Sequence, residues 1–274
     1  MTVDKVISSS DNPHVRQLIA LREKRERDTT QRFLIEGYRE LLRAIDAAVA
    51  IEQLFICPEL FLGENEEVLI QKIRKSGATI ISCSERVFHK ISYRDRPDGL
   101  VAIAKTMNFT LHDLEEKLAG IASPLLVVAE AIEKPGNLGT ILRSADGAGA
   151  HGVIICDRCT DIYNPNVVRA SVGTLFTLPV IETSSQEVLQ WLQKRQITIL
   201  SAMPQAKQLY SEADMRSPVA IIVGAEQIGL STLWKDSATI QVAIPMKGVA
   251  DSLNVAMATT ILLYEAARQR HDPL

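Results

Sequence analysis

The chain has 274 residues and a net charge of −3, and 46% of its residues are hydrophobic. This composition is typical of a globular protein, and the length is enough for one large domain or two smaller ones with full cores. The charge argues against a general nucleic-acid coat, although the first 110 residues are slightly basic and the remainder is acidic.

The sequence has no signal-peptide pattern and no apolar run close to the roughly 20 residues that cross a bilayer. Its four cysteines do not form a dense framework, which favours a reducing compartment. We therefore expect a soluble, cytoplasmic protein.

The first part of the chain predicts alternating helices and strands, and hence a sheet with helices packed on it. In chain order we expect a helix capped by Asn12 that runs through Leu18 and Leu21 into the charged stretch 22–27, a strand at 33–37, a helix from 38 to about 49, a strand at 51–57, a helix at 64–76 and strands at 78–83 and 99–105. Residues 106–122 are typical of a linker with one short helix.

The second part alternates more regularly and predicts a parallel, three-layer α/β domain. The expected strands are 125–130, 152–156, 197–202, 219–224 and 238–244, and the expected helices are about 138–149, 164–174, 185–195 and 252–268. Ligands of open α/β sheets bind at the carboxyl ends of the strands. Polar residues that follow these strands are therefore candidate site residues.

The first candidate segment follows the strand at 125–130. Asn137 is a plausible helix cap, and Arg143 lies nearly two turns later, so we expect both side chains to point toward one cleft. The alternative is a capping asparagine and a solvated arginine.

The second candidate segment is VGAEQIGLS (223–231), where Glu226 comes just past a strand end and glycines let a ligand lie against the backbone. An ordinary strand-to-helix turn with an exposed glutamate is its alternative.

The third candidate segment follows the strand that ends at Ile244. Ser252 is predicted to cap a long helix, and Asn254 then lies in its first turn, available for a contact with a ligand. The alternative is that Ser252 is only a helix cap.

Several other signals do not support a site. GAGAHG (147–152) matches the dinucleotide fingerprint in letters, but its glycines end a helix and precede a strand. The chain has neither a phosphate-binding loop nor a G-x-S-x-G elbow. Cys156 and Cys159 form one C-x-x-C without a second pair, so we interpret them as ordinary cysteines and expect no metal.

The first part also carries basic side chains that are candidates for contacts with RNA phosphates. They are Arg22, Lys24, Arg25, Arg27, Arg32, Arg94 and Arg96. Tyr93 is placed to stack on an unpaired base. The alternative is a charged helix face balanced by Glu23, Glu26 and Asp28.

Three segments, in this order, resemble the motifs of the SpoU (TrmH) family of RNA 2′-O-ribose methyltransferases, a branch of the knotted SPOUT superfamily. They are NLGTILR (137–143), IIVGAEQIGLS (221–231) and IPMKGVADSLNVA (244–256). FLIEGYRELLRAI (33–45) is similar to the small ribosomal-protein-like α/β substrate-binding domain of many relatives. The resemblance implies an RNA-binding domain at 1–105, a linker at 106–122 and a knotted methyltransferase domain at 123–274.

The same resemblance implies S-adenosylmethionine as cofactor, a deep trefoil knot in the last third of the chain, a homodimer with the active site near the interface, and no metal. It assigns catalytic roles to Asn137, Arg143, Glu226, Ser252 and Asn254. It assigns cofactor contacts to Leu200, Ser201, Ala202, Val223, Gly224, Ile244, Met246 and Leu253. The sequence departs from relatives after Ala202, where it reads MPQAKQLY instead of an acidic residue and glycines.

Because the thiostrepton- and nosiheptide-resistance enzymes of the family share this two-domain layout, the resemblance implies large-subunit ribosomal RNA as substrate. Methylation of a tRNA ribose, methylation of a base, and a non-catalytic RNA-binding role are the alternatives. The order of the motifs favours ribose chemistry, and the intact motif residues argue against a protein without activity.

Overall fold

The computed structural model describes residues 6–157, 160–225 and 227–270. The chain forms two compact units, one of residues 1–107 with 161–177 and the other of residues 108–160 with 178–274. The segment 161–177 thus folds with the first unit, although it lies within the second part of the sequence. Among the described residues, no helix combines the length and the apolar character needed to span a bilayer.

The secondary structure comprises eleven helices and eleven strands in the described ranges. The helices are α1 (Pro13–Ala20), α2 (Lys24–Thr30), α3 (Tyr38–Asp46), α4 (Glu66–Lys75), α5 (Glu85–Ile91), α6 (Leu111–Lys117), α7 (Pro135–Gly147), α8 (Pro165–Ser171), α9 (Ser185–Lys194), α10 (Thr232–Asp236) and α11 (Val255–Arg270). The strands are β1 (Arg32–Glu36), β2 (Ile51–Ile56), β3 (Thr79–Ser82), β4 (Leu100–Lys105), β5 (Leu125–Glu130), β6 (Gly152–Cys156), β7 (Val180–Thr183), β8 (Thr198–Ala202), β9 (Gln208–Leu209), β10 (Val219–Val223) and β11 (Ile240–Ala243).

The first unit is built on a four-stranded sheet in the order β1-β4-β2-β3. Strand β4 is antiparallel to both neighbours, and β3 is parallel to β2. The predicted cap of α1 is confirmed, since the Asn12 side chain accepts a hydrogen bond from the His14 amide at 3.0 Å. The prediction of a single helix is wrong, however, because the segment forms two helices, α1 and α2. Leu21 lies between them and is buried in the core.

The second unit is built on a seven-stranded sheet in the order β7-β6-β5-β10-β8-β11-β9. All of its strand pairs are parallel, so the predicted parallel α/β fold is confirmed. Strands β5 and β10 are buried along their whole length at the centre of the sheet. Alternate β5 residues, Leu126 and Val128, pack in one core with α9, while α7 and α11 pack together and against β6 and β10 respectively. The helices therefore sandwich the sheet.

A buried ion pair ties the segment 161–177 into the first unit. The Arg27 guanidinium donates through Nε and Nη2 to one carboxylate oxygen of Asp161, at 2.9 and 2.6 Å. Its Nη1 donates to the carbonyls of Leu21 and Arg22, and the other Asp161 oxygen accepts from the Tyr163 amide. Only 3% of Arg27 and 8% of Asp161 is exposed, so each charge depends on the other for its neutralisation.

We predict that Asp161→Ala lowers the free energy of unfolding by about 3–5 kcal/mol, because it leaves the Arg27 guanidinium buried and unpaired. Urea denaturation followed by circular dichroism measures this loss. Lys24→Ala is the control, since it removes a charge whose partner Asp28 is half-exposed and one turn away. Equal midpoints for the two variants would contradict the structural role of the buried pair.

Candidate active site

A cavity of about 520 Å³ opens at the carboxyl ends of β8, β10 and β11. Its volume lies in the range of small-molecule sites. Six of the eight residues expected at the cofactor line it: Ala202, Val223, Gly224, Ile244, Met246 and Leu253. Leu200 and Ser201 lie beneath the cavity instead, fully buried, and the Ser201 hydroxyl donates to the Trp234 carbonyl at 3.1 Å.

One wall of the cavity is a loop that closes on itself after β10. The Gly229 amide donates to the Ala225 carbonyl at 2.9 Å, so the chain reverses within a few residues. A methyl group on Gly224 would lie 2.5–2.6 Å from backbone atoms of Gly229 and Leu230. Since backbone cannot yield as a flexible side chain does, glycine is required at this position. Glu226, expected to act in catalysis, lies outside the described residues.

The opposite wall is formed by the segment that leads into α11. Asn254 caps this helix, because its Oδ1 accepts from the Ala256 amide at 2.9 Å and from the Met257 amide at 3.4 Å. The prediction that Ser252 is the cap is wrong, since α11 begins at Val255. Ser252 is exposed and, like Asn254, lines the cavity, so its hydroxyl is available to a ligand.

Asn254 also connects the two helices that carry predicted catalytic residues. Its Nδ2 donates to the Asn137 Oδ1 at 3.2 Å, which links the starts of α11 and α7. Asn137 lies in the first turn of α7, which begins at Pro135, so the prediction that Asn137 caps the helix is wrong. The Nδ2 of Asn137 is buried and has no partner among the described residues. Asn137 does not itself line the cavity, although its neighbour Asn254 does. Since its Oδ1 is used as acceptor, Asn137 keeps a donor next to the cavity that no described residue satisfies.

Arg143 does not share a direction with Asn137, contrary to the prediction. Six residues advance a helix by about 600°, so the two side chains diverge by about 120° around the axis. Ser144 takes the face of Asn137 instead, and its hydroxyl lies 2.7 Å from that of Thr260 in α11. Arg143 is exposed, lies outside the set of cavity-lining residues and forms no hydrogen bond or ion pair with any described residue.

The cavity also includes residues that the sequence did not single out. The chain that follows β8 contributes Met203, Pro204 and Gln205, and the lining also includes two charged residues, Lys235 and Asp251. Met203, Pro204 and Gln205 could have been found from the sequence, because they come directly after a predicted strand, at the edge of the sheet where ligands bind. No pattern in the sequence pointed to Lys235.

Most of the basic residues expected at RNA are engaged within the first unit. Arg27 is buried against Asp161, so the prediction that it contacts RNA is wrong for this structure. Arg22 Nη2 donates to three consecutive carbonyls of residues 90–92 at 2.8–3.0 Å. Arg94 donates to the Glu40 carboxylate at 2.7 Å, and burial raises the pKa of Glu40 although this guanidinium opposes the shift.

The remaining predicted RNA contacts lie at the surface. Arg32 pairs with Glu52 at 2.6 Å, and Lys24 pairs with Asp28 at 2.8 Å. The exposed side chains of Arg25 and Arg96 form no ion pair or hydrogen bond with the described residues, so their charges are available to a partner. Tyr93 is 40% exposed, its hydroxyl accepts from the Asn166 amide group, and the Arg22 guanidinium lies 5.8 Å from its ring centroid.

The C-x-x-C pair has no sign of a metal site in the described part of the chain. Cys156 is fully buried, and burial raises the pKa of its thiol to about 12. Cys159 lies outside the described residues. No cluster of three or more His, Cys, Asp or Glu side chains suited to a metal occurs among residues 6–157, 160–225 and 227–270.

Comparison with known proteins identifies the family. Residues 124–264 match the SpoU rRNA Methylase family, and residues 12–102 match the MRM3-like substrate binding domain. The chain belongs to the SpoU rRNA Methylase family. The resemblance predicted from the three motifs is therefore confirmed.

Relatives extend this likeness over almost the whole chain. The chain is 30% identical to the 23S rRNA (uridine(2479)-2′-O)-methyltransferase of Streptomyces viridochromogenes, over 96% of this chain and 92% of that one. A solved RNA 2′-O ribose methyltransferase is 41% identical with a TM-score of 0.83, covering 97% of this chain and 99% of its own. An AdoMet-bound rRNA methyltransferase from Sinorhizobium meliloti is 31% identical with a TM-score of 0.88, covering 98% and 99%.

We predict that Gly224→Ala weakens cofactor binding at least about 10-fold, because the added methyl group displaces the backbone that forms one cavity wall. Calorimetric titration with S-adenosylhomocysteine measures the affinity. Gly248→Ala is the matched control, since a methyl group there meets open space and the backbone needs no positive φ. Equal affinities in the two variants would show that the close approach at Gly224 does not shape the site.

Proposed function

We propose that the chain transfers a methyl group from S-adenosylmethionine to a ribose 2′-hydroxyl of large-subunit ribosomal RNA. The observation that carries this proposal is the cavity at the carboxyl ends of β8, β10 and β11, because six residues of the SpoU cofactor motifs line it. Relatives with a named substrate act on 23S rRNA, which favours ribosomal RNA over transfer RNA. The AdoMet-bound state of a solved relative supports the choice of cofactor.

The cavity fits such a cofactor in size and in character. Apolar side chains from Val223, Ile244, Met246 and Leu253 line it beside the backbone of Gly224. This combination suits a flat nucleoside, whose faces pack on apolar groups and whose edges bond to backbone. The cofactor supplies a methyl group that is already electrophilic on its sulfonium, so alignment of the hydroxyl is the main task of the protein.

The chain offers two groups for the ribose. The Asn137 Nδ2 is a buried donor without a partner among the described residues, and it suits a ribose oxygen as acceptor. The Asn254 side chain fixes the orientation of the Asn137 side chain through the 3.2 Å hydrogen bond between them. Arg143 carries a guanidinium, which stays charged in proteins, so it suits stabilisation of the developing alkoxide as a cation. Ser252 borders the cavity. Ser252 and Glu226 occupy motif positions that assign both residues to the organisation of the substrate.

A homodimer and a deep trefoil knot are part of this proposal. The exposed stripe of α11 includes Met257 and Tyr264, which are 56% and 53% exposed, and apolar side chains of this kind are typical of an interface. Arg143 does not line the cavity of its own subunit, which supports an active site near the dimer interface. The family resemblance of the three motifs supports the knot.

The proposed division of labour assigns RNA binding to residues 1–105, with 106–122 as linker, and cofactor binding to residues 123–274. Exposed cations on the first unit support the RNA role, and Arg25 and Arg96 are its best candidates because their charges are not already paired with described residues. A cytoplasmic location stays a prediction.

We predict that Arg143→Ala cuts single-turnover methylation about 10²–10³-fold and leaves cofactor affinity unchanged, because it removes charge stabilisation that acts only in the transition state. Arg143→Lys should also be slow, since an ammonium lacks the planar fork of donors. Tritium transfer to ribosomal RNA at saturating cofactor measures the rate. Arg268→Ala is the control, because this exposed arginine lies thirteen residues beyond the start of α11, or about 20 Å along the helix. A near-normal rate for folded Arg143→Ala would remove it from the mechanism.

We predict that the double variant Arg25→Ala, Arg96→Ala weakens RNA binding and lowers the slope of log affinity against log salt by about 1–2, because each lost phosphate contact removes less than one released counterion. Filter binding over a salt series measures both quantities. Lys194→Ala, an exposed cation of the second unit, should leave the slope unchanged. A wild-type slope in the double variant would place the RNA contacts elsewhere.

A further inference from the structure

Glu130 is a buried acid at the carboxyl end of β5 that the sequence motifs did not single out. It is 4% exposed, and within the described part of the chain no lysine or arginine forms an ion pair with it. Its Oε2 accepts a 2.7 Å hydrogen bond from the Ser231 amide, and its Oε1 accepts the Ser185 hydroxyl at 3.3 Å. A buried carboxylate is costly unless hydrogen bonds or a cation compensate for its lost hydration, so Glu130 depends on the hydrogen bonds from Ser231 and Ser185.

The bond to Ser231 holds the far end of the cavity loop. Strand β10 pairs with β5 so that Val223 lies opposite Ala129, and the loop leaves the sheet immediately afterwards, beside Glu130. The loop residues 227–230 line the cavity, and Ile228 among them is 79% exposed, so packing holds the loop tip weakly. The sheet fixes where the loop begins, and the Glu130 carboxylate fixes where it returns.

A buried network extends this anchor under the cavity floor. The Ser185 hydroxyl accepts from the Trp234 indole Nε1 at 3.1 Å, and Trp234 is fully buried in α10. The Trp234 carbonyl in turn accepts from the hydroxyl of Ser201, which precedes the cavity residue Ala202. The network thus joins elements β5, α9, α10 and β8 beneath one cavity.

We infer that Glu130 is a positioning residue for cofactor binding: its carboxylate holds residues 227–231 in the position that receives the cofactor. It is absent from the cavity lining, so it acts through the Ser231 amide and not by contact with ligand. This inference rests on the proposed function, because it takes the cavity to be the cofactor site. The inference requires that loss of the hydrogen bond between Ser231 and Glu130 lowers cofactor affinity more than it lowers the rate at saturating cofactor.

The experiment measures S-adenosylhomocysteine affinity by calorimetry, and KM and kcat for methylation, in Glu130→Ala and Glu130→Gln. Glu130→Ala should weaken binding about 10- to 100-fold, the effect of one lost hydrogen bond to a charged group, with kcat within about 3-fold. Glu130→Gln should recover most of the affinity, because its amide oxygen still accepts from Ser231. Glu66→Ala is the matched control: Glu66 is 5% exposed, also accepts a backbone amide, that of Gly63 at 2.8 Å, and lies in the first unit.

A second variant keeps the test decisive if Glu130→Ala does not fold. Ser231 has a φ of −65°, which proline adopts, so Ser231→Pro removes the amide donor without demanding a new φ. It should weaken binding by a similar factor, and its effect should not add to that of Glu130→Ala, because both remove one bond. Wild-type affinity in folded Glu130→Ala or Ser231→Pro overturns the inference. Absence of cofactor binding by the wild-type chain and all variants overturns the proposed function instead.

Discussion

The absence of a side chain at Gly224 is the constraint on which the site depends. The strand before it lies between β5 and β8 at the centre of the sheet and cannot shift without disturbing both neighbours. The loop must therefore fold back at a fixed point, and a methyl group there would lie 2.5 Å from the Gly229 carbonyl carbon. Because the backbone of Gly229 and Leu230 occupies the space that a side chain at Gly224 would need, one wall of the cavity is main chain, which presents fixed donors and acceptors to a ligand at no cost in side-chain entropy.

A helix cap supplies the second fixed element of the site. The side-chain oxygen of Asn254 accepts hydrogen bonds from the first amides of α11, so only its side-chain amide hydrogens remain for a bond to Asn137. Asn137 must then accept with its oxygen, and its own hydrogens are left for a ligand. A local requirement of helix formation thus sets the donor direction at the place where two helices meet, without an ion pair and without a pKa shift.

The sequence predicted the second sheet well where strands are long and apolar, as in β5 and β10, and failed where they are short. Strand β9 has two residues and α10 has five, too few for a periodicity to be recognised. Motif resemblance located most of the cavity lining.

Local patterns misassigned two of the three predicted helix caps. Asn254 and Ser252 are equally good cap formers, and only the fold chooses between them. Asn137 is not a cap because α7 begins earlier, at Pro135. Glu130 was missed for a related reason. It is the last residue of an apolar run, and the amide it accepts lies about a hundred residues later in the chain.

The arginines of the first unit show why a count of basic residues overstates an RNA-binding surface. A guanidinium has five donors in a rigid fork, and it satisfies carbonyls and carboxylates of its own chain as readily as phosphates. Arg22, Arg27 and Arg94 each do so, with three, two and one main-chain carbonyls respectively. Their positive charge therefore stabilises the unit and is not available to RNA phosphates. Affinity that does not come from charge must come from shape and from stacking, for which Tyr93, fixed at its hydroxyl by Asn166 and still 40% exposed, is the side chain best placed.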